Sequence, residues 1–219
     1  MSNRSRAFSV LYTALISALF VALVSAVALA TRQRIELNEQ VATQREILKV
    51  SGLWDSQRYA SVREMPAAQI AQRFERLIQG PKRVGGLELY YARNDSGQLE
   101  AIIFDIQGMG FWGPIHGWLA VEPGTNRIKG ISFDRQEETP GLGGEIVKPW
   151  FQQQFVGIEL AAPRAGRPAI ELVSNAAEKL PNQVDAITGA SRTSYAVQQM
   201  LNADIAAFLA AGVDALPAE

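Results

Sequence analysis

The chain opens with a long apolar run. Residues 8–30 read FSVLYTALISALFVALVSAVALA and contain no charge. A hydrocarbon core of about 30 Å needs roughly 20 such residues in a helix, so this run predicts a membrane-spanning helix. Beyond it the pattern turns amphipathic. Ile35, Val41, Ile47, Leu48 and Val50 recur at helical intervals between polar residues, which predicts a helix that leaves the apolar run and docks on the globular part of the chain. Its segment is taken as 31–62. A further helix is expected over 65–77, with Ile70, Phe74 and Leu77 on one face and Gly80-Pro81 as its stop.

The period then shortens to two. Residues 86–93 (GLELYYAR) and 98–107 (QLEAIIFDIQ) flank Asn94-Asp95-Ser96-Gly97, a good hairpin turn. WLAVEP and IKGISFDR flank Gly124-Thr125-Asn126 as a second hairpin, and the Gly/Pro-rich stretch 108–114 separates the two. A short helix is expected over 148–155 and a fifth strand over 169–173. The last long helix, 192–211, carries Val197, Leu201, Ile205 and Leu209 on one stripe with Met200 and Phe208 beside it. Residues 214–219 read as a frayed tail. The fold class is therefore α+β: one N-terminal transmembrane helix, then an antiparallel sheet of four strands with packed helices.

A cleaved signal peptide competes with the anchor, because Ala28-Leu29-Ala30 resembles a cleavage site and Arg4 and Arg6 precede the apolar run. The run exceeds the roughly 7–15 residues of a signal-peptide core, which favours the anchor. Arg32 and Arg34 balance Arg4 and Arg6, so basic flanks alone leave orientation open. The short tail 1–7 favours an inside N-terminus and a domain outside the cytoplasm.

Composition removes several chemistries. The formal net charge of −1 gives no basic field for nucleic acid. Without cysteine there is no disulfide, no thiolate nucleophile and no iron–sulfur cluster held by this chain alone. The lone histidine, His116, excludes a multi-histidine metal site and reads as a partly buried ring with one satisfied nitrogen. No paired carboxylates, catalytic triad or dinucleotide-binding G-x-G-x-x-G appears, so neither catalytic residues nor a metal site is expected. Any electron transfer here requires an organic cofactor.

Three segments are more specialised than packing demands. In Asp185-Ala186-Ile187-Thr188-Gly189-Ala190-Ser191-Arg192-Thr193-Ser194, small residues admit a bulky group. The hydroxyls and free N–H groups at a helix start there suit an anion such as phosphate. An ordinary N-cap explains the same hydroxyls and is the commoner use of them. Glu138-Thr139-Pro140-Gly141-Leu142-Gly143-Gly144-Glu145 is a loop able to lie against a flat ligand, or merely a strand-to-helix connection. In Gly108-Met109-Gly110-Phe111-Trp112-Gly113-Pro114, Phe111 is expected in the core, and Trp112 either stacks on an aromatic ligand or closes the sheet end.

Taken in order, an apolar anchor, GFWGP…GWLAV, ETPGLGGEI and DAITGASRTS, the chain resembles the C subunit of the sodium-translocating NADH:quinone oxidoreductase. The related G subunit of the Rnf complex is similar to it as well. In that family the hydroxyl of D-x-x-(S/T)-G-A-(T/S) is esterified to the phosphate of FMN by a dedicated flavin transferase. Asp185, Thr188, Gly189 and Ala190 match this motif, and Ser191 holds the acceptor place in the stead of the usual threonine. Thr193, two residues later, is the fallback acceptor. The resemblance further implies that Glu138, Thr139, Leu142 and Gly143 line the flavin ring, with Trp112 near it. It implies a tail 1–7 in the cytoplasm, a span 8–30, a connecting helix 31–62 and a periplasmic FMN-binding domain 63–213. The expected role is a one-electron relay in the bacterial inner membrane, working with the other subunits of the complex and with membrane lipid around the anchor. The competing readings are an Rnf-type subunit and a membrane-anchored scaffold without flavin.

Overall fold

The computed structural model describes residues 3–161, 168–174 and 180–212; the expected tail at 214–219 lies outside them. The chain divides into two units, Met1–Thr43 and Gln44–Glu219. Helix α1 runs from Asn3 to Ser51.

In the first unit, α1 is long and apolar enough to cross a membrane, and its most apolar stretch buries nothing within the protein. Its threonine hydroxyls return to their own helix: Thr13 Oγ1 donates to the Ser9 carbonyl (2.9 Å) and Thr31 Oγ1 to that of Val27 (2.9 Å). Such back-bonding leaves those donors satisfied in a medium without water.

In the second unit the final turns of α1 bury Ile47, Leu48 and Val50. The helix stops at Ser51, with Gly52 at φ 72° as its left-handed terminator. The connecting helix expected over 31–62 is thus cut short. Residues after Gly52 form turns before a 3₁₀ turn, Val62–Glu64, and helix α2, Ala67–Leu77, which buries Ile70 and Leu77.

Five strands come next as an antiparallel meander: β1 Ile78–Val84, β2 Leu87–Arg93, β3 Leu99–Met109, β4 Pro114–Val121 and β5 Ile128–Arg135. The hairpins at Asn94–Gly97 and Gly124–Asn126 form as the sequence predicts, but β1 is additional to the expected strands. Gly80-Pro81 lies inside this edge strand, where the register slips between Gln79 and Lys82, rather than ending a helix. A proline that donates nothing is tolerated at such an edge irregularity. The stretch 108–114 also differs from a mere separator. Strands β3 and β4 pair to their ends, Met109 opposite Pro114, which leaves residues 110–113 as a tight hairpin turn.

Alternation along β3 sends Ile102, Phe104 and Ile106 into the main core. That core is closed by helix α4, Ser191–Ala210, whose Val197, Leu201, Ile205 and Phe208 are buried. Phe104 stacks on Phe208 at 4.6 Å between centroids. Helix α3, Pro149–Gln152, and the 3₁₀ turn after it add Phe151 and Phe155. On the opposite face Phe74 of α2 meets the Tyr90 ring of β2 edge-on at 6.3 Å.

The segment 169–173 is not a fifth member of that sheet. Its strand, β6 Glu171–Val173, pairs in parallel with β7 Gln183–Asp185. Polar residues of α4 hold it there: Gln198 Oε1 accepts from the Leu172 N–H (2.8 Å), and Asn202 bonds both backbone groups of Ile170. His116 lies on β4 and bonds Asp134 Oδ1 through Nδ1 (2.6 Å), as a singly satisfied histidine should. Burial works against the Asp134 carboxylate, but the bonds from His116 and Trp118 and the charges of His116 and Arg135 together hold the group below its ordinary range.

Candidate functional site

The β3–β4 turn, the loop after β5 and the start of α4 surround one open cleft of about 340 Å³. Phe111 and Trp112 come from the turn, Glu138, Thr139, Leu142 and Gly143 from the loop, and residues 189–193 from the helix start. Each segment has a local reason for its shape. Thr139-Pro140-Gly141-Leu142 is a turn closed by the Leu142 N–H on the Thr139 carbonyl (3.1 Å), with Gly141 at φ 76°. Proline followed by glycine suits that geometry. Gly189, at φ 78°, makes the sharp entry into α4, where a side chain would also crowd Leu142.

A buried carboxylate ties the three segments together. Glu138 is only 4% exposed. Its Oε1 accepts from the backbone N–H of Phe111 (2.7 Å) and of Trp112 (3.0 Å), and its Oε2 accepts from the Thr193 hydroxyl (2.6 Å). The glycines beside it are required by this arrangement. A Cβ on Gly143 would run into Glu138 and the Thr193 hydroxyl, and one on Gly110 would run into Glu138 and Ile115. A solvated loop charge is excluded for Glu138 by its burial, and its partners are Phe111, Trp112 and Thr193.

The hydroxyls around the α4 start divide sharply. Thr193 is buried and committed to Glu138. Ser194 is buried, and its Oγ accepts from the Ile187 N–H (3.1 Å). Ser191 is exposed, as is Thr188. The capping position belongs to Ala190, with no side-chain cap, so the ordinary N-cap explanation of these hydroxyls does not hold. The backbone N–H groups of Ser191, Arg192 and Thr193 meet no acceptor among the described residues. Unpaired donors at a helix start, beside an exposed hydroxyl, form a ready environment for a phosphate.

Nine of the eleven residues anticipated from the sequence meet in this cleft: Trp112, Glu138, Thr139, Leu142, Gly143, Gly189, Ala190, Ser191 and Thr193. Thr188 and Asp185 do not line it. Asp185 ends β7, where its N–H donates to Gln154 Oε1 (2.9 Å). Phe111, expected in the core, is instead 41% exposed and forms a wall of the cleft, its ring 4.7 Å from that of Trp112. Arg192 joins the site although no motif marks it; its guanidinium sits 5.0 Å over the Phe111 ring. No group of metal-ligating side chains occurs among the described residues. The cleft can take a flat aromatic group between apolar walls and an anion at the helix start, which are the two ends of a flavin mononucleotide.

Comparison with known proteins agrees with this geometry. The family model of the FMN-binding domain matches residues 110–206, which span all three cleft segments. The C subunit of the Na(+)-translocating NADH-quinone reductase of Neisseria meningitidis serogroup B is 39% identical over 134 residues, 61% of this chain and 52% of that protein. The C subunit of the Vibrio alginolyticus reductase is 33% identical over 118 residues, 53% of this chain and 46% of its own length. The chain thus spans about half the length of the relatives it matches. Among solved structures, the Shewanella oneidensis NqrC aligns with a TM-score of 0.62 at 20% identity, covering 78% of this chain and 96% of that one. The C subunit of the Parabacteroides distasonis reductase aligns with a TM-score of 0.65 at 24% identity, covering 82% and 96%. Those two likenesses establish the fold. The sequence matches make the chain similar to the C subunits of Na(+)-translocating NADH-quinone reductases over about half their length, and to the FMN-binding domain over residues 110–206.

Proposed function

We propose that the chain is an electron-relay subunit of a Na(+)-translocating NADH:quinone oxidoreductase, with FMN joined covalently to Ser191. Its partners are the other subunits of that membrane complex and a flavin transferase that attaches the cofactor. Residues 8–30 anchor it in lipid, and the short arginine-bearing tail favours a periplasmic domain on a bacterial inner membrane.

The observation that carries this reading is Ser191. Its hydroxyl is the first side chain of α4, exposed on the rim of the cleft and without a hydrogen-bond partner among the described residues. Thr193, the fallback acceptor two residues on, is buried and donates to Glu138, so it serves to position the site while Ser191 accepts the phosphate. FMN supplies one- and two-electron redox chemistry when bound. The chain's own residues hold and shield it. Trp112, Phe111 and Leu142 provide apolar walls, Glu138 fixes the turn that bears the two aromatic residues, and the α4 donors receive the phosphate. A phosphoester keeps the cofactor on the protein in a compartment that cannot resupply it.

The test is flavin fluorescence in a denaturing gel, from a host that carries the transferase. The parent and Ser191→Thr are expected to give a fluorescent band, and Ser191→Ala none. A fluorescent Ser191→Ala band would move the attachment elsewhere, and a dark parent band would end the covalent reading.

A further inference from the structure

We infer that a second groove of the domain, apart from the cleft, binds a phosphate group, carried by a membrane-lipid headgroup or by a soluble phosphate. This groove of about 270 Å³ runs between α2 and the turns that follow α1. Asp55, Arg58, Gln69, Gln72, Arg73 and Arg76 line it, together with the buried Met65. None of these residues lines the cleft around Ser191, and the site does not depend on a flavin being there.

The sequence builds the groove from two banks. Gln69, Gln72, Arg73 and Arg76 recur at intervals of three and four, so one face of α2 carries them while Ile70, Phe74 and Leu77 turn toward the sheet. On the other bank, Asp55 Oδ1 accepts from the Arg58 N–H (3.2 Å) and the Asp55 carbonyl from the Tyr59 N–H (3.1 Å), a turn that brings Arg58 to the groove. Arg73 joins the banks: its Nε donates to the Leu53 carbonyl (2.6 Å), which fixes the plane of the guanidinium. Neither Nη of Arg73 meets an acceptor among the described residues, and neither Arg58 nor Arg73 forms an ion pair there. Tyr59 Oη donates to Gln69 Oε1 (2.7 Å), which leaves the amide nitrogen of Gln69 as a further donor.

Charge and geometry then select the ligand. In the lining, three guanidiniums face one carboxylate, that of Asp55. Arg76 also reaches Asp95 (3.1 Å), but both side chains are more than half exposed, and a pair of that kind is weak. The groove therefore carries surplus positive charge and unspent donors on a chain whose net charge is −1. A carboxylate offers two coplanar oxygens and suits a single guanidinium fork. Here the donors approach from a helix on one side and a turn on the other, which suits the tetrahedral oxygens of a phosphate.

The experiment uses the full chain in phosphatidylcholine nanodiscs, titrated calorimetrically with inorganic phosphate at constant ionic strength. A Kd on the order of 1 mM is expected, because the contacts are few and open to water. Arg58→Gln and Arg73→Gln should each weaken binding about three- to tenfold. Arg83→Gln, which alters an exposed arginine paired with Glu88 on β1, should leave it within about twofold. Acetate should bind about tenfold more weakly than phosphate. The Arg58 side chain makes no hydrogen bond among the described residues, so its substitution stays decisive even if Arg73→Gln loosens the turn. Replacing part of the lipid by phosphatidic acid separates the two sources. Loss of inorganic-phosphate binding in those discs assigns the groove to a lipid headgroup, and unchanged binding assigns it to a soluble phosphate. No saturable binding at about tenfold the expected Kd overturns the assignment, as does equal affinity for acetate or an affinity that neither Arg58→Gln nor Arg73→Gln alters.

Discussion

Removing the Glu138 carboxylate tests whether one side chain holds the cleft together. In Glu138→Ala, the N–H groups of Phe111 and Trp112 and the Thr193 hydroxyl lose their acceptor. Hydrogen bonds to a charged group contribute about 1.5–3 kcal/mol each, so three amount to roughly 4–9 kcal/mol before relaxation. Two effects reduce the net loss. Burying the carboxylate itself costs free energy, and the adjoining cleft lets water reach the turn once the side chain is gone. The expected loss is about 3 kcal/mol, a large part of the ~5–15 kcal/mol that stabilises a typical domain. Glu138→Gln keeps one acceptor for the two N–H groups and requires only that the Thr193 hydroxyl rotate, so about 1 kcal/mol should go. The assay is urea unfolding of the full chain in detergent, followed by tryptophan fluorescence and by helical circular dichroism. With a slope of about 1–3 kcal/mol/M, Glu138→Ala should lower the midpoint by about 1–3 M and Glu138→Gln by less than half as much. A midpoint shift under about 0.3 M in Glu138→Ala, at unchanged slope, would refute the idea that this carboxylate clasps the three segments.

Two further perturbations probe the frame behind the cleft. Asp204 on α4 titrates at about 6, because burial and the nearby Asp105 charge raise it while the Gln107 N–H (3.0 Å) opposes them. The folded state therefore holds its proton to higher pH than the unfolded chain, and stability falls as pH rises from about 4 to 6. Asp204→Asn keeps an acceptor for Gln107 without the charge. It should stabilise the domain by about 1–2 kcal/mol at pH 7.5, discounted for partial exposure, and by under about 0.5 at pH 4.5. Equal effects at the two pH values, in paired urea titrations, would contradict that assignment. Phe208→Ala removes a side chain 1% exposed and stacked on Phe104, so about 3–5 kcal/mol should be lost. Thermal melts followed by circular dichroism measure it, and a loss below about 1 kcal/mol would mean that α4 does not close the core as described.

The sheet was legible wherever the side-chain period was clean. Strands β2, β3 and β5 fall where alternation and the Asn94–Gly97 and Gly124–Asn126 turns put them. Strand β1 was hidden because Gly80-Pro81 is a strong local breaker, and only pairing with β2 overrides it. That pairing is a tertiary fact, invisible in a short window of sequence. The strand at 171–173 has the composition of a sheet member, yet its partner is β7, and α4 side chains some 26–32 residues downstream hold its segment in place. Propensity announced the strand and could not announce its neighbour.

The cleft was legible for a different reason. Its residues lie in three short segments whose glycines, prolines and hydroxyls depart from what a core or an ordinary loop requires. Local composition can mark such places even when it cannot say that they meet. What it could not supply was the division of labour among them. Ser191, Thr193 and Ser194 look interchangeable along the chain. On the first turn of α4, however, each successive side chain is turned by about 100°. That rotation sends Thr193 and Ser194 inward, toward Glu138 and Ile187, and leaves Ser191 and Arg192 facing out. Phe111 departs from expectation by the same logic in reverse. Its apolar ring suggests a core, but the hairpin turn at 110–113 has no interior to offer it, and the ring rests under Arg192 instead. The helical phase of the first turn therefore decides which hydroxyl is exposed to the cleft and which is spent on structure. A threonine at position 191 would occupy the same place on that turn, so on the proposed attachment Ser191→Thr should keep the fluorescent band in a denaturing gel, whereas moving the hydroxyl to position 192 should abolish it.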